Sequence, residues 1–213
     1  LETPWLTHCK ALVYGALGGQ AGAGAMVDVL TGKVNPSGKL AETWANAYEH
    51  TPAKDNFAGK GRTVQYREGL YVGYRYYQTA GVPVAFPFGY GLSYTNFAYR
   101  NAKLSSGKIT KDQSVTLTFD IANTGKMDGD EVAQIYIKNP NDPEGPIKAL
   151  KAFLRVHVKA GDSQEVNIEL TPEAFHSFND NTQTMEVRPG KYQILYGGSS
   201  DEKALERLEL TIE

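Results

Sequence analysis

The sequence holds one cysteine, Cys9, among 213 residues. One thiol forms no internal disulfide, so the chain is not a disulfide-stapled secreted domain, and a reducing compartment such as the cytoplasm is favoured. There is no excess of positive charge. Lys and Arg number 22 against 24 Asp and Glu, for a net charge of −2, which argues against a nucleic-acid partner. No apolar run approaches the ~20 residues a membrane-spanning helix needs, so no membrane partner is expected. The opening LETPWLTHCK has neither an initiator Met nor a signal-peptide pattern, and the chain is expected to be a piece of a longer protein.

Several catalytic and cofactor signatures are also missing. The glycines of GGQAGAG, residues 18–24, match neither the dinucleotide nor the phosphate-loop spacing. Their plainer role is to let a helix lie close to its neighbour. His8, His50, His157 and His176 form no pair at metal-ligand spacing, with each other or with Cys9. No Gly-x-Ser-x-Gly elbow is present. Neither a metal nor a cofactor is therefore expected. The acids Asp128, Asp130 and Glu131 of KMDGDEV do not spread across a twelve-residue calcium loop and read as a solvated turn.

What is present divides into three textures. KALVYGAL (10–17) reads as a strand, GGQAGAGAMVDVLTG (18–32) as turn and helix with Gly32 at the helix end, and KLAETW (39–44) as another short strand. One strand–helix unit cannot bury both of its faces, so residues 1–47 are an incomplete α/β segment with missing neighbours. Residues 48–92 lack a clean period and read as an extended connector packed on a neighbour. From residue 93 the texture is β. SVTLTFDI (114–121) alternates strictly, and 131–138, 153–161, 164–171, 184–190, 191–198 and 204–213 follow as short strands between turns. His157, between Val156 and Val158, should face solvent or an edge of the sandwich. Residues 93–213 thus read as an antiparallel β-sandwich of immunoglobulin type. The fold class is mainly β, with the partial α/β segment and the connector in front.

The aromatics concentrate in two places. YREGLYVGYRYYQ (66–78) carries five tyrosines and two arginines. Aromatic faces beside charged hydrogen-bonding groups are how proteins grip sugars, so Tyr66, Arg67, Tyr71, Tyr74 and Arg75 are candidate substrate-binding residues. Packing, with the ring buried and the hydroxyl wet, is the competing role for the same residues. FPFGYGLSYTNF (86–97) reads as a joint between domains. Its glycines allow a close turn, and Leu92, Tyr94 and Phe97 are expected to begin the sandwich core.

GGQAGAGAMVDVLTGKVNPSGKLAETW (18–44), YREGLYVGYRYY (66–77), FPFGYGLSYTNF (86–97), NTGKMDGDEVAQIYI (123–137) and KALKAFLRV (148–156) together resemble the carboxyl-terminal portion of glycoside hydrolase family three, the β-glucosidases and their xylosidase and arabinosidase relatives. The resemblance covers nearly the whole chain in order. It implies the end of an α/β sandwich domain over 1–47 and a fibronectin-type-III-like domain over 93–213. It also implies a parent enzyme that cleaves β-glycosidic bonds with two carboxylates, an Asp of a barrel domain and a Glu upstream of residue 1. No position here matches either motif, so no catalytic residue is assigned. The partners implied are a β-linked glucoside or oligosaccharide and the missing catalytic portion, and homo-oligomers are compatible with the sequence. The alternative function is a carbohydrate-binding or docking β-sandwich module.

Overall fold

The computed structural model describes residues 4–59 and 61–213. The sandwich lies where alternation places it. The strands β5 (Val115–Asn123), β6 (Gly129–Lys138), β7 (Ala149–Val158), β8 (Ser163–Leu170), β10 (Thr184–Val187), β11 (Gly190–Gly197) and β12 (Leu205–Ile212) match the seven expected segments to within a few residues. With β3 (Phe97–Leu104) and β4 (Lys108–Ile109), all of these but β10 form a five-stranded sheet in the order β4-β12-β11-β6-β7 and a three-stranded sheet β3-β5-β8. A hairpin of β9 (His176–Asn179) and β10 closes one end. The β4–β12 pair is parallel and the other pairs are antiparallel.

The alternation of β5 does what it implies. Val115, Leu117, Phe119 and Ile121 are fully buried and meet Ile135 of β6, Ile194 and Tyr196 of β11 and Leu210 of β12. Phe119 stacks on Tyr196 with ring centroids 5.4 Å apart. Strand β3 has no such signature. Its register slips between Arg100 and Lys103, and Asn101 sits at φ 56°. A residue inserted in that way breaks the period that marks a strand.

The segment before the sandwich departs further from expectation. Residues 10–17 were expected as a strand but form no ladder among the described residues. A strand needs a neighbour to pair its N–H and C=O groups, and among the described residues none pairs with this segment. Of 39–44 only Trp44 becomes a strand residue, in β1 (Trp44–Ala45), paired with β2 (Val84–Phe86). The helix α1 (Gly22–Leu30) does form. It stops as the sequence implies, with Gly32 at φ 74° and its N–H on Val29 O at 3.0 Å. A side chain at Gly18 would meet Gly22 Cα at 2.8 Å, so the small residues do allow a close approach. Yet α1 buries none of its residues fully.

The connector is not wholly extended. Between Gly73 and Gly81, both at positive φ, it forms the helix α2 (Tyr74–Thr79), with Tyr74 and Tyr77 buried. Of the two, Tyr74 packs against Tyr136 and Leu195 on the outer side of the five-stranded sheet. The expected start of the sandwich core is corrected in part. Phe97 packs against the core, but Leu92 is 73% exposed and Tyr94 is also exposed. Both lie before β3, where the chain still crosses outside the sheets. Replacing Phe119 with Ala is expected to lower the unfolding free energy by about 3–5 kcal/mol in urea denaturation. A loss below about 1 kcal/mol would mean this core does not carry the fold.

Candidate functional site

The motifs 35–40 and 86–97 meet and zip together. Leu40 N–H donates to Tyr90 O at 2.9 Å and Gly89 N–H to Leu40 O at 2.8 Å. Gly91 faces the Gly38 carbonyl so closely that any Cβ would collide with it. Asn35 organises the far end. Its Oδ1 accepts from Ser93 Oγ and Tyr94 N–H, both at 2.8 Å, and its Nδ2 donates to Asp128 O at 2.9 Å. Tyr94 Oη donates to Val29 O at 2.7 Å, tying down the last turn of α1. The α/β segment is thereby fastened to both the connector and the sandwich.

The connector is fastened to β6. Tyr136 Oη donates to Gln134 Oε1 at 2.6 Å. The Gln134 amide donates to Gly89 O at 3.1 Å and Gly198 O at 2.7 Å. At Gly89, φ is 77° and a Cβ would overlap the Gln134 amide, so both conformation and space require glycine. Ser200 N–H donates to Phe88 O at 2.9 Å. Around these bonds Tyr74, Tyr136 and Leu195 form a second apolar cluster with Phe88, Leu150 and Leu205. Strand β6 is consequently buried on both faces.

Two buried charges sit in this joint. Lys39 reaches Glu131 Oε1 at 3.3 Å and the Gly91 carbonyl at 3.1 Å, and Tyr99 Oη donates to Glu131 at 3.3 Å. Glu131 is 5% exposed. Burial pushes its pKa above the ordinary 4.5, and Lys39 and Tyr99 pull back only in part. Lys148, its side chain fully buried, donates to Ser200 O at 2.7 Å and pairs with Glu202 at 2.8 Å. Burial pulls its pKa down against that partner.

The acids 128–131 therefore do not share one solvated turn. Asp128 accepts from Ala160 N–H at 2.8 Å. Asp130 pairs with Arg155 and with His157 Nδ1 at 2.6 Å, and His157 faces outward as expected. Glu131 is the exception. It falls on the face of β6 that carries Ala133, Ile135 and Ile137, and that register was the signal for its burial.

The five candidate binding residues divide between solvent and scaffold. Tyr66 is 89% exposed, and Arg67, also exposed, donates to Gln65 Oε1 at 2.8 Å and 2.6 Å. Tyr71 Oη donates to Glu144 O at 2.7 Å. Tyr74 is buried between Phe88 and Tyr136, and its Oη accepts from Leu150 N–H at 2.8 Å. Arg75 lies over the Tyr74 ring, 5.8 Å from its centroid. None of the five lines the cleft of about 750 Å³ that Trp5, Tyr14, Trp44, Tyr48 and Tyr77 frame with Glu42 and Glu49. These aromatics come from five separate elements or loops, so no local pattern announced the cleft.

Two family descriptions match the chain: the glycosyl hydrolase family 3 C-terminal domain over residues 1–94 and the fibronectin type III-like domain over residues 131–200. A thermostable β-glucosidase B of Acetivibrio thermocellus is 41% identical over 94% of this chain and 27% of its own length. A xylan 1,4-β-xylosidase of Xylanibacter ruminicola is 39% identical over 98% of this chain and 22% of its own. The crystal structure of a β-glucosidase from Kluyveromyces marxianus in complex with glucose superposes with a TM-score of 0.89 at 38% identity, covering 99% of this chain and 25% of that one. The chain thus spans about a quarter of the length of the curated relatives it matches.

Two predictions test the joint. A group whose folded pKa is raised contributes stability that is fully present below its unfolded pKa and is lost as the pH rises through the folded value. Glu131 is such a group, with 4.5 as its ordinary value. Glu131→Gln, uncharged at every pH, should therefore gain stability relative to the unmodified chain as the pH rises from 4.5 toward neutrality. Urea unfolding across that range checks it, and a difference that stays flat or shrinks contradicts it. Tyr136→Phe leaves the buried Gln134 carbonyl without a donor, and a loss of about 1–3 kcal/mol is expected in the same assay.

Proposed function

Because the chain belongs to the carboxyl-terminal portion of glycoside hydrolase family 3, we propose that it is the non-catalytic scaffold of a retaining β-glycoside hydrolase. Its parent acts on terminal β-glucosidic or related bonds, and the two carboxylates that do this chemistry lie outside these residues. One observation carries the reading. The exposed large apolar side chains crowd into the first 94 residues, among them Trp5, Leu12, Val13, Tyr14, Leu17, Val27 and Leu30, whereas the sandwich leaves out only Phe153, Leu154, Phe178 and Met185. An apolar surface of that extent marks an interaction site. Helix α1 and residues 10–17 supply one layer of an α/β domain whose other layers belong to the missing portion.

The scaffold acts by fixing positions. The zip between 35–40 and 86–97 sets the α/β segment on the sandwich, and the apolar face then presents one shape to the catalytic portion. Residues 1–47, 48–92 and 93–213 serve as docking segment, connector and fibronectin-type-III-like support. Tyr66 and Arg67 have free surface and suit the rim of an acceptor subsite. Tyr71 and Tyr74 would hold that rim in place through their contacts with the sandwich, with Arg75 over the Tyr74 ring. The aromatic cleft at Tyr14 and Trp44 favours carbohydrate binding by the chain itself as a second reading.

The 213-residue chain alone is expected not to hydrolyse an aryl β-glucoside, and mixing it with the remainder of the enzyme should yield a stable, active complex. Turnover by the chain alone, or failure of the two portions to associate, overturns the scaffold reading. Saturable binding of cello-oligosaccharides to the chain in calorimetry would support the second reading, and a flat isotherm removes it.

A further inference from the structure

Two cations, Arg75 and Lys151, converge on the outer side of the sandwich with no anion paired to them among the described residues. The pairing of β6 with β7 slips between Ile135 and Tyr136. Ile135 faces Ala152 and Tyr136 faces Leu150, so Lys151 is the extra residue of a bulge. A bulge bends its strand and re-aims a side chain. The Leu150 amide donates to Tyr74 Oη at 2.8 Å, which fixes the bulge against the first turn of α2. Arg75 follows Tyr74 in that turn and lies over its ring. Arg75 Nε is enclosed and has no hydrogen-bond partner among the described residues. Burial, and then the charge of Arg75, pull the Lys151 pKa down.

Their neighbours are treated differently. Lys148 has Glu202 and Arg155 has Asp130. Among the described residues no carboxylate pairs with Arg75 or Lys151. Holding two like charges together, one with an enclosed and unsatisfied N–H, is costly unless an anion completes the group. The surroundings indicate which anion. Val72, two residues before Tyr74, is 59% exposed, and Phe153, two residues beyond Lys151, is 69% exposed. A small free anion would cover neither, whereas a protein segment bearing an acid would cover both and give the guanidinium the planar partner it suits.

We propose that Arg75 and Lys151 together receive an Asp or Glu side chain from the portion of the enzyme that this chain lacks. The inference rests on the scaffold reading and adds a specific docking contact to it. Carbodiimide cross-linking of the full-length enzyme, read by mass spectrometry, tests it, because the reagent joins an amine only to a carboxylate in contact. The expected product is an amide between Lys151 Nζ and an acid outside these 213 residues, within one molecule. Arg75→Gln should reduce its yield at least threefold, since the acid loses half of its receptor. Three results overturn the proposal: Lys151 free of cross-links, Lys151 joined to an acid of these 213 residues, or Lys151 joined to a second molecule. Hydrogen exchange on the same enzyme separates the two readings. If the amides of α1 are protected there but Lys151 does not cross-link, only this inference falls; if α1 is unprotected, the scaffold reading falls with it.

Discussion

Strand β6 pairs with both β7 and β11 and is buried on both faces from Ala133 to Ile137, and the arrangement of the other segments follows from that. Its inner side chains, Ala133, Ile135 and Ile137, belong to the sandwich core. Its outer side chains, Gln134 and Tyr136, would be unprotected polar and aromatic groups if the connector were absent. The connector supplies what they need: Tyr74 and Phe88 cover the Tyr136 ring, and the Gly89 carbonyl takes the Gln134 amide, which also donates to Gly198 O of the sandwich. A satisfied buried network fixes one arrangement, because each alternative leaves a donor or acceptor orphaned. The 86–97 stretch is therefore a structural joint whose aromatics and glycines are spent on contacts within the chain.

The two sides of that joint have opposite characters. The sandwich buries its alternating positions and leaves few large apolar groups outside. The α/β segment folds locally, with a capped helix and a close glycine turn, yet leaves its apolar positions open. The joint links the two, since it holds the segment before the sandwich in a defined place against it. Asn35, linking Ser93, Tyr94 and Asp128, and Lys39, linking Gly91 and Glu131, are the residues that transmit the position of one side to the other.

Much of the sandwich was legible in the sequence because period-two alternation is a local signal, and Val115, Leu117, Phe119 and Ile121 carry it plainly. Strand β3 was not legible, since Asn101 interrupts its period. The expected strand at 10–17 failed for a different reason: its pattern is apolar, but a strand is a property of a pair. The aromatic motif at 86–97 announced a joint, while the fates of Leu92 and Tyr94 depended on where the chain enters the sheet. Of the candidate site, Tyr66 through Arg75 could be picked out by composition, but composition does not separate a free ring from a packed one. The Lys39–Glu131 pair spans 92 positions and leaves no local trace beyond the in-register acid on an otherwise apolar strand face.

The central claim is that joint and sandwich are one cooperative unit. Native-state hydrogen exchange measures it at the amides of Leu40, Gly89 and Ser200, whose acceptors are Tyr90, Leu40 and Phe88. The account predicts that these amides exchange only through the same global opening that exposes the amides of β6, with the same free energy and denaturant dependence. Exchange through a separate opening of much lower free energy, while β6 stays protected, would contradict it.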